Sequence, residues 1–253
     1  MSTSQAFSPA TPYVALAVAF ILACTLAGCA TEITGTSFND QTAVFEKGEP
    51  SFMPQPVSES SDAVGNDVTI DEQGWWAKDG FVHYGIVITN PNDDLIARNT
   101  VITITTYDKH GTKLTGETAT VSFIGPGESI GYAGIAGEGL VPDRVDITVD
   151  GATTVWQDAD GYTPIFTVDS YEEQDKLYFR YEITGKVGNH TGGYVSNVPL
   201  CVLLRDDEGN IVAGYTGAAY RIKDGRSKDF TVTMHSAPSH ASVDIYPQWD
   251  LEQ

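Results

Sequence analysis

Apolar and polar residues alternate with a period of two along most of this chain, and they do so twice over. In "VHYGIVITN" the positions Val82, Tyr84, Ile86 and Ile88 fall on one side of an extended chain. Further on, Phe179, Tyr181 and Ile183 alternate with Arg180, Glu182, Thr184 and Lys186. That alternation predicts a strand with one buried face and one wet face. Two later segments, "NTVITITTYD" and "NVPLCVLLRD", place Ile102, Ile104, Leu200, Val202 and Leu204 on a shared apolar face and are rich in the residues that strands favour. "GPGES" has Pro126 followed by Gly127, as a type II turn requires, and "KDGRS" keeps a Gly at the matching place. The pattern predicts about seven short strands per unit and no helix beyond the N-terminal segment, so the fold class is all-β, with two tandem immunoglobulin-like β-sandwich domains.

The two units are copies of one another. Shifting the chain by 98 residues puts Asn99 on Asn197, Asp108 on Asp206, Gly111 on Gly209, Gly116 on Gly214, Ile124 on Ile222 and Ser129 on Ser227. The match ends with "VDI" at 145–147 on "VDI" at 243–245. Two long copies are two domains rather than a solenoid. The first is expected at 65–150 and the second at 163–250, with an interdomain linker at 151–162 whose Trp156 would wedge between them. The apolar sets of the preceding strands align at a shift of 97, which predicts one extra residue in the loop "GNHTGG".

The N-terminus differs in kind. Tyr13 to Ala27 is uninterrupted apolar or small, too short for a membrane span and of the length of a secretory signal core. It closes with Leu26-Ala27-Gly28-Cys29, which resembles the lipobox of bacterial lipoproteins. The resemblance implies cleavage of a signal peptide at 1–28 and lipidation of Cys29, although "MSTSQAFSPATP" carries no Lys or Arg. Several acyl chains on one Cys anchor firmly where one anchors only marginally. Residues 29–64 are rich in Ser, Thr, Glu, Gly and Pro and read as a disordered linker. Ala30 and Thr31 offer no Asp sorting signal, which points to the outer face of a monoderm membrane. Cys24 would leave with the signal, so Cys201 has no partner and reads as a packed strand residue.

Within the copies, Gly85, Val87 and Asn90, "ITTYD" at 104–108, "VLLRD" at 202–206 and "PGE" at 126–128 resemble the FxLYD domain of bacterial surface proteins and lipoproteins. The resemblance implies an extracytoplasmic β-sandwich. It implies no enzymatic activity.

Charge narrows the partners. Lys and Arg number 14 against 34 Asp and Glu, a formal net charge of −20. Such a surface repels phosphate backbones, which argues against nucleic acid. Loops at 90–94 ("NPNDD") and 205–210 ("RDDEGN") cluster hard oxygens of the type Ca²⁺ takes, without EF-hand spacing. "YDKHG" at 107–111 gathers reactive side chains, but its sister is "RDDEG", and the shared Asp and Gly are those of a hairpin turn. His83, His110, His190, His235 and His240 are scattered, and His235 and His240 flank a loop and read as solvated. There is no nucleophile elbow, zinc pattern or phosphate loop.

The best ligand hint is aromatic. Trp75 and Trp76 adjoin in a polar stretch, their counterparts Glu173 and Gln174 are polar, and exposed rings stack on sugars or protein partners; the favoured reading is packing, with one ring plugging the open edge of the sandwich and the other covering the domain joint. The expected function is therefore a non-enzymatic, lipid-anchored binding or structural module of the cell envelope. The alternative is a polysaccharide-binding module with Trp75 and Trp76 as its platform, and the third class is an envelope enzyme. No cofactor is expected.

Overall fold

The computed structural model describes residues 63–249 except 177–179. The signal peptide, Cys29 and nearly all of the expected linker lie outside the described residues. The fold is all-β and every pairing is antiparallel. The first half of the chain contributes β1 (Thr69–Lys78), β2 (Phe81–Thr89), β3 (Leu95–Tyr107), β4 (Lys113–Ile124), β5 (Ser129–Ala136), β6 (Arg144–Asp150) and β7 (Val155–Asp158). The second contributes β8 (Phe166–Lys176), β9 (Arg180–Asn189), β10 (Val195–Arg205), β11 (Ile211–Ile222), β12 (Arg226–Met234) and β13 (Ser242–Pro247).

Each half builds two sheets around its own apolar core. In the first half, β1-β2-β5 faces β4-β3-β6, with β7 added beside β3. Val82, Tyr84, Ile86 and Ile88 of β2 meet Ile102 and Ile104 of β3 in the core between them. In the second half, β12-β9-β8 faces β11-β10-β13, and Ile183 and Val187 meet Leu200, Val202 and Leu204. The sheets of the two halves also pack on each other. Val87 and Ala133 of the first half close on Cys201, Leu203 and Ile211 of the second, with Tyr246 beside them. Residues alternate sides along a strand, so β2 and β10 bury both of their faces. The described residues consequently all belong to one compact unit.

The copies correspond strand for strand from β1–β6 to β8–β13, and β7 has no counterpart among the described residues. β1 bulges at Asp71 and β8 at Asp169, 98 residues on. In each case a Thr two residues earlier donates to the bulged carboxylate, Thr69 at 2.9 Å and Thr167 at 2.9 Å. A second hydroxyl closes the other carboxylate oxygen, Thr89 on Asp71 and Ser227 on Asp169. These bonds stabilise the charged form and hold the Asp169 carboxyl below its usual range, the Ser227 hydroxyl contributing most.

Pairing corrects two expectations. Ser129 lies opposite Thr89 and Ser227 opposite Gly188, so β2 matches β9 at a shift of 99, not 97. Asn90 then equals Asn189, and the second copy's loop is one residue shorter rather than one longer. Both Asn side chains are buried and bond the chain across the loop: Asn90 donates to the carbonyls of Leu95 and Gly125, Asn189 to those of Gly193 and Ile222. The two-residue difference keeps every side chain on its face, so period-two reasoning could not detect it. Second, the residues expected as an interdomain linker, 151–162, are not a free connector. They hold a 3₁₀ turn at Gly151–Thr153 and the strand β7, which pairs with Leu95–Arg98. That pairing carries Trp156 into the first half's core, where it is 8% exposed, and not between the halves.

Candidate functional site at the seam

The face where the halves meet is built from residues that lack side chains. A methyl group on Gly74 would lie 1.7 Å from the Ile211 carbonyl oxygen, and one on Gly214 would lie 2.2 Å from that of Tyr84. Gly85 and Gly131 likewise receive Leu203 and the ring of Tyr246. Backbone therefore rests almost on backbone, and large side chains from the other half fill what remains. At one margin Arg205 ties the layers together. It pairs with Glu72 of the first half and, through Nε at 2.5 Å, with Asp244 of its own half. These bonds, Glu72 foremost, raise the guanidinium pKa further.

Trp75 and Trp76 sit on β1 and obey its alternation. Trp75 packs against the first half's core and Trp76 against the second's. The pair therefore cannot form one stacking platform, because consecutive residues of a strand point to opposite faces. Trp76 belongs to a row of rings at the seam: His83 lies 6.0 Å from it and stacks on Tyr215 at 4.8 Å. Burial pushes the His83 pKa down, and among the described residues no hydrogen-bond partner meets its buried Nδ1. The row borders a cleft of about 350 Å³ with Phe81, Ile135, Met234 and His235 on its walls.

On another stretch of the seam the rings are denser. Phe123 lies near the end of β4, Tyr162 comes from the crossing between the halves, Phe166 opens β8, and Tyr246 and Trp249 come from the end of β13 and just beyond. Trp249 stacks on Phe166 at 5.7 Å, and Tyr162 lies 5.8 Å from Phe123. Two hollows of about 220 and 190 Å³ share Phe123, Ile130, Gln248 and Trp249, so they adjoin along one aromatic groove wall. Polar atoms stand among the rings. Tyr162 donates to Glu128 Oε1 at 2.7 Å, and Gln248 Nε2 donates to the Gly131 carbonyl at 2.7 Å. Burial first, and the bond to Glu128 second, hold the Tyr162 phenol protonated. Sequence reading missed this groove because its rings come from three distant segments. One signal was available: the 98-residue partners of Phe123, Tyr246 and Trp249 are Arg221, Thr148 and Gly151, none of them aromatic.

The remaining candidates fall to structural roles. Asp108 accepts from the backbone of His110 and Thr112, and Asp206 from Glu208 and Asn210, with Gly111 at φ 79° and Gly209 at φ 87°. "YDKHG" is thus the same hairpin as "RDDEG", with Lys109 and His110 exposed at its tip. In "NPNDD", Asn90 and Asn92 are buried and bonded to each other, and Asn92 bonds Asn66 in both directions. Their oxygens are turned to the fold. Among the described residues no three His, Cys, Asp or Glu come together as metal ligands would. Cys201 is buried in β10 with its thiol pKa raised by burial, which makes it unreactive. His235 is exposed as expected, but His240 is not solvated: its Nε2 contacts the Tyr181 hydroxyl at 3.0 Å and its side chain is only 10% exposed. A loop residue escaped solvent because the loop folds back on β9.

No family model matches the chain, and no curated protein matches it.

Proposed function

We propose that this chain is a lipid-anchored extracytoplasmic module of a bacterial cell envelope, acting by binding or by structural support rather than by catalysis. The observation that carries the reading is Leu26-Ala27-Gly28-Cys29 at the end of a 15-residue apolar or small run, Tyr13 to Ala27. The stretch of polar, Pro- and Gly-containing chain that follows supports it, since it suits a tether between a membrane and a folded head. The resemblance of 85–90, 104–108, 126–128 and 202–206 to the FxLYD domain points the same way. The acidic surface keeps such a head soluble and away from anionic lipid.

The test is fractionation of cells that express the full chain. Cys29→Ala is expected to move the protein from membranes to the soluble fraction and to abolish incorporation of a labelled fatty acid. Membrane association that survives the substitution refutes the anchor.

A further inference from the structure

We propose that the aromatic groove between Phe123 and Trp249 is a binding site for a neutral carbohydrate chain. The proposal rests on the reading of the protein as an envelope binding module and names the ligand class that the module would hold.

Four observations lead to it. First, the groove presents several partly exposed rings: Trp249, Phe166, Tyr162 and Tyr246 all retain solvent-facing surface. A sugar ring offers a flat face of C–H bonds to such surfaces and a rim of hydroxyls to polar neighbours. Second, polar groups stand at the edges of these rings. Glu128, Ser129, Gln248 and the Tyr162 hydroxyl line the same hollow, a mixture that suits hydroxyl groups better than hydrocarbon. Third, the site is double. Two hollows of similar volume meet across Gln248 and Trp249, the arrangement that successive units of a chain need. Fourth, the rings are not dictated by the shared sandwich. Arg221, Thr148 and Gly151 occupy the matching positions, so the fold is built a second time without them.

Charge selects the neutral class. Glu128 is the only formally charged residue lining the groove among the described residues, and the chain as a whole is strongly acidic. An acidic polymer would meet repulsion and no compensating cation.

The experiment titrates the full chain, held in detergent, with neutral glucose and N-acetylglucosamine oligosaccharides and with the free monosaccharides, by calorimetry. At least one oligosaccharide series is expected to bind, and about tenfold more tightly than its monosaccharide, because only a chain fills both hollows. Trp249→Leu is expected to weaken that binding by about tenfold or more, whereas Trp75→Phe leaves it unchanged. Trp249 also packs on the second core, so saturation transfer from aromatic protons of the unmodified protein to sugar C–H protons provides a readout that needs no variant. Failure of every oligosaccharide to bind overturns the proposal. So does binding that Trp249→Leu does not weaken, or a groove that takes a proline-rich peptide and no sugar. A protein that still reaches membranes through Cys29 but binds no sugar loses the groove and keeps the proposed function. One that binds sugar but ignores Cys29→Ala loses the anchor and keeps the groove.

Discussion

The two faces that meet at the seam each have a duplicate on the outside of the molecule, and the duplicates are built from different residues. The first half offers its β1-β2-β5 sheet and the second its β11-β10-β13 sheet. These are not equivalent surfaces, so the contact is head to tail and leaves an unused copy of each face: β8-β9-β12 at one end, β3, β4 and β6 at the other. A contact of this kind can in principle repeat without limit. The outer copies are made unfit for it. Gly74, Gly85, Val87 and Gly131 at the seam become Glu172, Thr184, Lys186 and Asp229 outside, by strand register. Cys201, Leu203, Ile211 and Tyr246 become Thr103, Thr105, Lys113 and Thr148. One fold therefore carries two surface codes. Glycine and bulky apolar residues make a joint, and threonine and charge at the same backbone positions end the stack.

The sharpest way to break the comparison is to place one side chain at both members of a pair. Gly74→Val drives a methyl into the Ile211 carbonyl and is expected to cost about 3 kcal/mol or more. Glu172→Val, its exposed counterpart, should stay within about 0.5 kcal/mol. Urea denaturation of the two variants measures the difference, and equal losses would mean that the seam is not close-packed. The reverse exchange removes the outer code. Glu172→Gly, Thr184→Gly, Lys186→Val and Asp229→Gly together give the exposed face the residues of the joint at these four positions. Sedimentation is expected to show concentration-dependent association beyond that of the unmodified protein. Unchanged mass would show that polarity at these positions does not limit stacking.

The smallest effect concerns His83, whose outer counterpart Glu182 lies on the solvent-side set of β9. Burial depresses the His83 pKa below 6.5, so the unfolded chain takes up a proton more readily than the folded one. Its contribution to stability is complete above pH 6.5 and declines as the pH falls below that value. His83→Phe keeps a ring against Tyr215 and removes the titration. It is expected to flatten the fall in melting temperature between about pH 6.5 and 5 relative to the unmodified protein. Parallel profiles would remove His83 from the pH response.

What could be read from the sequence was what depends on neighbours along the chain. The strands, their buried faces and the Asp108 and Asp206 hairpins follow from a period of two and from local turn chemistry. The bulges at Asp71 and Asp169 were not read, although "TID" and "TVD" recur at the 98-residue spacing. The seam was harder because its main components are absent side chains. Gly74 and Gly85 say nothing alone and acquire meaning only beside Glu172 and Thr184. β7 was hidden by its length of four residues, which leaves no periodicity to detect. The aromatic groove was invisible because Phe123 and Trp249 are brought together only by the docking of the halves. Trp75 and Trp76 pack against different cores, because adjacency along a strand is separation across it.

The short crossing from β7 to β8 has a consequence for the strength this joint requires. Only residues 159–164 lie between Asp158 and Phe166 apart from the buried Ile165. Held so close, each half meets the other at an effective concentration in the millimolar range, whatever the amount of protein in solution. An interface too weak to join separate molecules can stay closed under that condition and still open and reclose readily. A single proteolytic cut at Gly161 would remove the advantage. The same face would then become an ordinary bimolecular contact, and dilution alone could part it.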